Sequence, residues 1–384
     1  MKALLTSERW HFRVIRIAII AALAWWAVKD LVYAQLPYSM EWPYTDFENR
    51  IVELSEIQSG GPPKDGIPPI DEPNFDTVSE ASKWVNPREP VVVLTVNNET
   101  RAYPLQILTW HEIVNDTVGG VPVSVTFCPL CNATIVFDRR LDGRVLDFGT
   151  TGKLRKSDLV MYDRQTESWW QQFSGQGIVG EMSAKLLTRI PASIVAFEDF
   201  EHAYPSARVL SRRTGHMRPY GKNPYSGYDR IDDQPFLFNQ PVDSRLPPME
   251  RVLNVTVDAT HRLYPFSVLM DEPVINDQVE NVPVVVFSRQ GTLSVLDASV
   301  IANSKTVPSA TVYDRRLDDR VLSFEVRDGR LVDRETGSEW NLFGTAVAGT
   351  LKGKQLDKPD SGVHFAFAWL AFNPQSKIYR SGDD

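Results

Sequence analysis

The strongest constraint on this 384-residue chain is that it states part of itself twice. DRRLDGRVLDF at 138–148 returns as DRRLDDRVLSF at 314–324, and DRQTESWWQQF at 163–173 returns as DRETGSEWNLF at 333–343. VNNETRAYPLQIL is answered by VDATHRLYPFSVL around Tyr264 and Pro265, and IVNDTVGGVPVSV by VINDQVENVPVVV around Asn276 and Asp277. Matches at several separated points, in the same order, imply two tandem copies of one unit. The chain also holds 26 prolines and 22 glycines, which point to short strands and loops. The fold class expected is therefore mainly β with short helices, an α+β protein of two tandem homologous domains.

The divisions follow composition. Residues 37–88 (with SGGPPKDGIPPIDEPNF) read as an extended Pro/Gly-rich arm, 89–213 as the first repeat, 214–248 as a linking loop and 249–384 as the second repeat. Within the first repeat, Val91 to Val96 reads as a strand, Asn97 to Glu99 as a turn and Arg101 to Tyr103 as the returning strand. PLQILTWHEIVND, opening on Pro104, reads as a short helix. Val121 to Phe127 and Ala133 to Asp138 read as strands, and Asp142-Gly143 as a tight hairpin turn. The linker segment TGHMRPYGKNPYSGYDR, 214–230, reads as an ordered lid or packing strap.

The first 36 residues are of a different kind. Lys2, Arg9, Arg13 and Arg16 precede the apolar run Ile17 to Val28, and Val32-Tyr33-Ala34 resembles a small-residue cleavage site. Twelve apolar residues fall short of the ~20 that span a bilayer, although Arg16 to Tyr33 would nearly reach. The segment reads as a signal peptide or an N-terminal membrane anchor, with its basic side in the cytoplasm. The rest of the chain is then expected in the periplasm or another extracytoplasmic space, with the membrane as a partner if the segment is uncleaved. A net charge of −8 with no basic face argues against nucleic acid as a partner.

Export changes the meaning of Cys128 and Cys131, which are the only two cysteines. In an oxidising compartment a lone pair defaults to a disulfide unless a metal or a reductant holds it. A staple across two residues closes too small a loop to stabilise so large a chain, so a functional role is the better explanation. The repeat supports this. Carried through the shared Asn-Asp and Val-Pro pairs, His111 matches Glu272, Cys128 matches Arg289 and Cys131 matches Thr292. The second copy is degenerate in this respect: it keeps the scaffold and lacks all three candidate ligands.

WHEIVND, VPVSVTFCPLCN, FDRRLDGRVLDFGTTGKLRKSDLVMYDRQTESWWQQF and RPYGKNPYSGYD together resemble the domain-of-unknown-function 3179 family of exported prokaryotic proteins, over roughly residues 85–380. The resemblance implies an exported or membrane-anchored location and no particular activity.

Three functions fit the residues. The first is a mononuclear metal site of Cys128, Cys131 and His111, with Met161 as the fourth ligand and Asp158 and His216 as rivals. A Cys, Cys, His, Met set is soft and suits copper, the expected ion; Asp in place of Met suits zinc, and iron comes next. The role would be metal handling or electron transfer. The plainer readings are a hydrogen-bonded core histidine for His111 and core packing for Met161 in an alternating strand. The second function is thiol–disulfide exchange at the Cys-Pro-Leu-Cys turn, weakened because a strand and not a helix follows Cys131. The third is a non-catalytic anchored assembly subunit with a protein partner and a structural disulfide. Hydrolase readings lack a motif: His202, His261 and His364 read as surface residues, and no His-Glu-x-x-His occurs.

Overall fold

Val91-Val92-Val93-Leu94 is an unbroken apolar run, the pattern of a strand covered on both faces. In the computed structural model, which describes residues 38–382, all four are buried in the strand Pro90–Val96. That strand pairs with Glu99–Pro104 across a tight turn in which Asn97 and Asn98 take the left-handed conformation (φ 47° and 65°). The helix that follows is shorter than its sequence predicts. It ends at His111, because Glu112 turns left-handed (φ 58°), and Ile113–Val118 is a strand. The β-branched Ile113 and Val114 prefer the pleated, buried environment they find there.

Ile113–Val118, Val121–Cys128 and Ala133–Asp138 then form an antiparallel sheet extended by Arg189–Ile190. A second sheet orders Ile57–Ser59, Phe148–Arg155, Asp158–Asp163, Trp169–Gln171 and Gln176–Val179. The molecule is mainly β with short helices, as its composition implies. The arm does not simply lie over the surface: Ile57–Ser59 and Phe75–Thr77 are edge strands, paired with Phe148–Arg155 and Arg208–Leu210. Residues 214–248 contain no helix or strand.

The second half has many of the same elements in the same order, without a counterpart to Arg189–Ile190. Val252 faces Pro265 as Val91 faces Pro104, and Val274 faces Phe287 as Ile113 faces Thr126. The sequence echo at 163–173 and 333–343 also has a local cause. Asp163 accepts hydrogen bonds from Trp170 Nε1 (2.8 Å) and the Thr166 amide (2.7 Å), and Asp333 accepts from Trp340 Nε1 (3.0 Å) and the Thr336 amide (2.6 Å). The carboxylate brackets a tight loop by holding its backbone and the next strand's tryptophan. The Asp138-Arg139 pair braces its hairpin differently from the simple pair that adjacency suggests: Arg140 binds Asp138, while Arg139 reaches the Leu146 carbonyl and Asp147.

One link departs from the plan. Pro129 to Asn132 alone join Cys128 to its partner Ala133, whereas residues 290–308 join Arg289 to Ser309. The tight cysteine turn is thus a feature of the first copy only. Asp46–Asp384 is a single compact unit, distinct from Met1–Thr45, whose described part carries only the helical turn Tyr38–Glu41. Val252, Leu263 and Phe365 of the second half share a core with Val92, Val125 and Phe127 of the first. The expected export segment, 1–36, lies outside the described residues. Among the described residues no helix is long and apolar enough to cross a membrane.

Candidate metal centre

Cys128 ends a strand, and Pro129–Cys131 makes one 3-10 turn that closes on Asn132 in the left-handed region (φ 48°). This brings two residues three apart to the same side. The second sheet meets them through the hairpin of Phe148–Arg155 and Asp158–Asp163, whose two-residue turn is Lys156-Ser157. Both turn residues have positive φ (54° and 66°), where Asn-Gly is the usual solution. With Glu112 and Asn132, four non-glycine residues in this strained region surround one point, and such strain gathers where structure serves a site.

At that point the sulfurs of Cys128 and Cys131 and a carboxylate oxygen of Asp158 lie within 4.8 Å of one another, all fully buried. The thiols are free, not joined as a disulfide. Both face the Ser157 carbonyl oxygen, at 3.9 and 3.6 Å. Asp158 Oδ2 accepts from Gln171 Nε2 (2.6 Å) and the Phe173 amide (2.9 Å), while Oδ1 has no hydrogen-bond partner.

Burial sets the protonation of these groups. It pushes the Asp158 carboxyl up to about 7 and both thiols above their ordinary range, since charge is costly away from water. Glu112, a further buried carboxyl, interacts with both Cys128 and Asp158 and is pushed up to about 8. Without a cation the site therefore retains protons. An orphaned carboxylate oxygen beside two thiols is an arrangement that a bound cation would complete.

The expected ligands divide. Cys128 and Cys131 stand together, and Asp158, a rival for the fourth place, stands with them. His111 does not belong to the group. Its Nδ1–H donates to the Pro68 carbonyl (2.7 Å) and its Nε2 accepts from the Tyr220 hydroxyl (2.7 Å), so both nitrogens are engaged. Burial lowers its pKa to about 4, which keeps the ring neutral and suited to those two bonds. Met161 lies three residues beyond Asp158, about 10 Å along an extended strand, in the core with Leu159, Phe148 and Trp170. His216 is exposed and packs against the His111 ring at 5.4 Å. His364, read as a surface residue, is buried and bonded to Asn254 (3.0 Å).

His111 has a different task. Trp110 Nε1 donates to the Lys222 carbonyl (3.0 Å), His111 binds Tyr220, and Glu112 accepts from the Tyr225 hydroxyl (3.3 Å). Three consecutive residues at the helix end thus tie down the 214–248 loop, and Tyr228 of that loop interacts electrostatically with both thiols. The aromatic loop is the strap its composition implies.

A family model described as a protein of unknown function, DUF3179, matches residues 64–376. No curated protein and no solved structure matches the chain.

Proposed function

The chain belongs to the DUF3179 family, and we propose that it is an exported metal-binding protein holding one ion between Cys128, Cys131 and Asp158. The observation that carries this reading is the fully buried Asp158 carboxylate, whose Oδ1 meets no N–H or O–H donor among the described residues and faces two free thiols. Two thiolates and a carboxylate favour zinc over copper, because the carboxylate is a harder donor than the thioether first expected, and copper ranks second. The ion would offset the negative charge of its ligands in a site from which water is excluded. Metal handling suits so enclosed a site better than electron transfer.

Thiol–disulfide exchange is the weaker reading. Both sulfurs are buried away from any partner disulfide, and their pKa values are raised where a nucleophilic thiol needs a lowered one. The apolar N-terminal run supports export, with a signal peptide or a membrane anchor as the means.

The test is metal content by mass spectrometry of the purified protein beside three variants. The wild type is expected to carry about one ion per chain by the stoichiometry of a mononuclear site. The Cys128→Ser, Cys131→Ser double variant should carry none. His111→Ala should keep the ion and lose about 1–3 kcal/mol of stability, since it orphans the Pro68 carbonyl and the Tyr220 hydroxyl. A wild type without metal, with Cys128 and Cys131 oxidised, would overturn the reading.

A further inference from the structure

Behind Asp158, on the side away from the thiols, the fold leaves a cleft of about 340 Å³ lined by Arg155, Arg189, Gln171, Gln176, Phe173 and Phe372 among others. We propose that this cleft binds a small organic carboxylate with a flat apolar body. The charged side chains among its lining residues are these two arginines, each with a carboxylate partner outside the lining, Glu56 for Arg155 and Asp360 for Arg189.

Each arginine is positioned by the fold. Arg155 is fixed by Glu56 (Nε at 3.0 Å, Nη2 at 2.8 Å) and by Gln171, whose Oε1 accepts from Nη1 at 3.2 Å. Arg189 donates Nη2 to the Phe173 carbonyl, and its Nη1 is only loosely paired with Asp360 at 3.5 Å. Arg155 is engaged at Nε, Nη1 and Nη2, so among the described residues it is Arg189, with its Nε–H unused and its Nη1 loosely paired, that offers a guanidinium edge to a carboxylate. The side-chain amide of Gln176 makes no hydrogen bond among the described residues and supplies a further donor. Two of its lining side chains are aromatic: Phe173 and Phe372 stack with centroids 4.8 Å apart and planes 13° from parallel. The volume is at the small end for ligand sites, enough for a single ring and its carboxylate.

The cleft also touches the thiol site from behind. Gln171 and Phe173 line it and are the two donors to Asp158 Oδ2. An occupant would therefore sit one hydrogen-bonded residue from the candidate metal centre. The proposal does not depend on a metal being present there.

The test is titration of the full chain with benzoate, inorganic phosphate and benzylamine, followed by calorimetry or by ligand-observed NMR. Benzoate is expected to bind saturably in the millimolar range or tighter, benzylamine not at all, and phosphate more weakly than benzoate. Arg189→Gln should weaken benzoate at least about 10-fold, the scale of a lost charge-assisted hydrogen bond. Gln176→Ala, a substitution at a partly exposed position, should weaken it by a smaller factor and guards against misfolding of the first variant. The Cys128→Ser, Cys131→Ser protein should bind benzoate as the wild type does, which separates this proposal from the metal reading. No saturable benzoate binding, equal binding of benzylamine, tighter binding of phosphate, or indifference to both cleft variants would overturn it.

Discussion

Asp158→Asn is expected to lower metal affinity by at least about 100-fold, the upper end of what outer-shell substitutions cost and therefore a floor for a ligand. It should also change how the metal-free protein responds to pH. Burial raises the Asp158 carboxyl to about 7, above its unfolded value near 4. Between those values the folded state holds a proton that the unfolded state has released, so stability falls as pH rises through that window. The slope is at most about 1.4 kcal/mol per pH unit for one carboxyl. Glu112, raised to about 8, prolongs the decline at its upper end. Asparagine keeps the shape and an oxygen for Gln171 and Phe173 but cannot ionise. Thermal melts in the presence of a chelator should show the wild type losing stability from pH 5 to pH 8 and Asp158→Asn losing distinctly less. Added zinc should restore the wild type and leave the variant unchanged. Identical pH profiles would mean that burial does not raise the Asp158 carboxyl.

The second large effect compares one lesion made in both halves. Trp170 and Trp340 are buried, each donating to a buried aspartate and meeting a phenylalanine edge-on, Phe148 at 5.9 Å and Phe324 at 5.5 Å. Trp170→Ala and Trp340→Ala should each cost about 3–5 kcal/mol through lost packing and an orphaned carboxylate. Because residues 46–384 form one compact unit, both losses should appear in the main unfolding transition, although Trp170 lies in the core shared by the two halves and Trp340 in a cluster of the second half with Phe287 and Tyr313. They should differ in their effect on the site. Trp170 is followed by Gln171, which holds Asp158, so Trp170→Ala should also lower metal content, and Trp340→Ala should not. Denaturant melts and metal content on the same samples check both halves of this expectation. Equal metal loss in the two variants would show that it follows from general destabilisation.

What the sequence makes legible follows from the range of the interactions involved. The strand pairs around the Asn97-Asn98 and Asp142-Gly143 turns and the strand after Cys131 rest on local pattern and appear as read. The helix through Asp116 does not, because Glu112 leaves the helical region where apolar periodicity still continues. Cys128 and Cys131 are legible as a pair because they are close in the chain. The candidate third donor is less so: Met161 and Asp158 lie on one strand, and it is the position of the Lys156-Ser157 turn against the cysteines that puts Asp158 beside them. His111 is chemically apt and sits beside Glu112, yet its nitrogens are claimed by Pro68 and Tyr220, residues 43 and 109 positions away. No local pattern records that competition. The cleft behind Asp158 joins residues from 51 to 373 and leaves no contiguous motif.

The most direct measurement is X-ray absorption at the edge of whichever metal the purified protein carries. Two sulfur neighbours at about 2.3 Å with oxygen neighbours at about 2.0–2.2 Å are expected, and the Cys128→Ser, Cys131→Ser protein should give no such signal. A first shell of nitrogen and oxygen without sulfur would contradict a centre built on Cys128, Cys131 and Asp158.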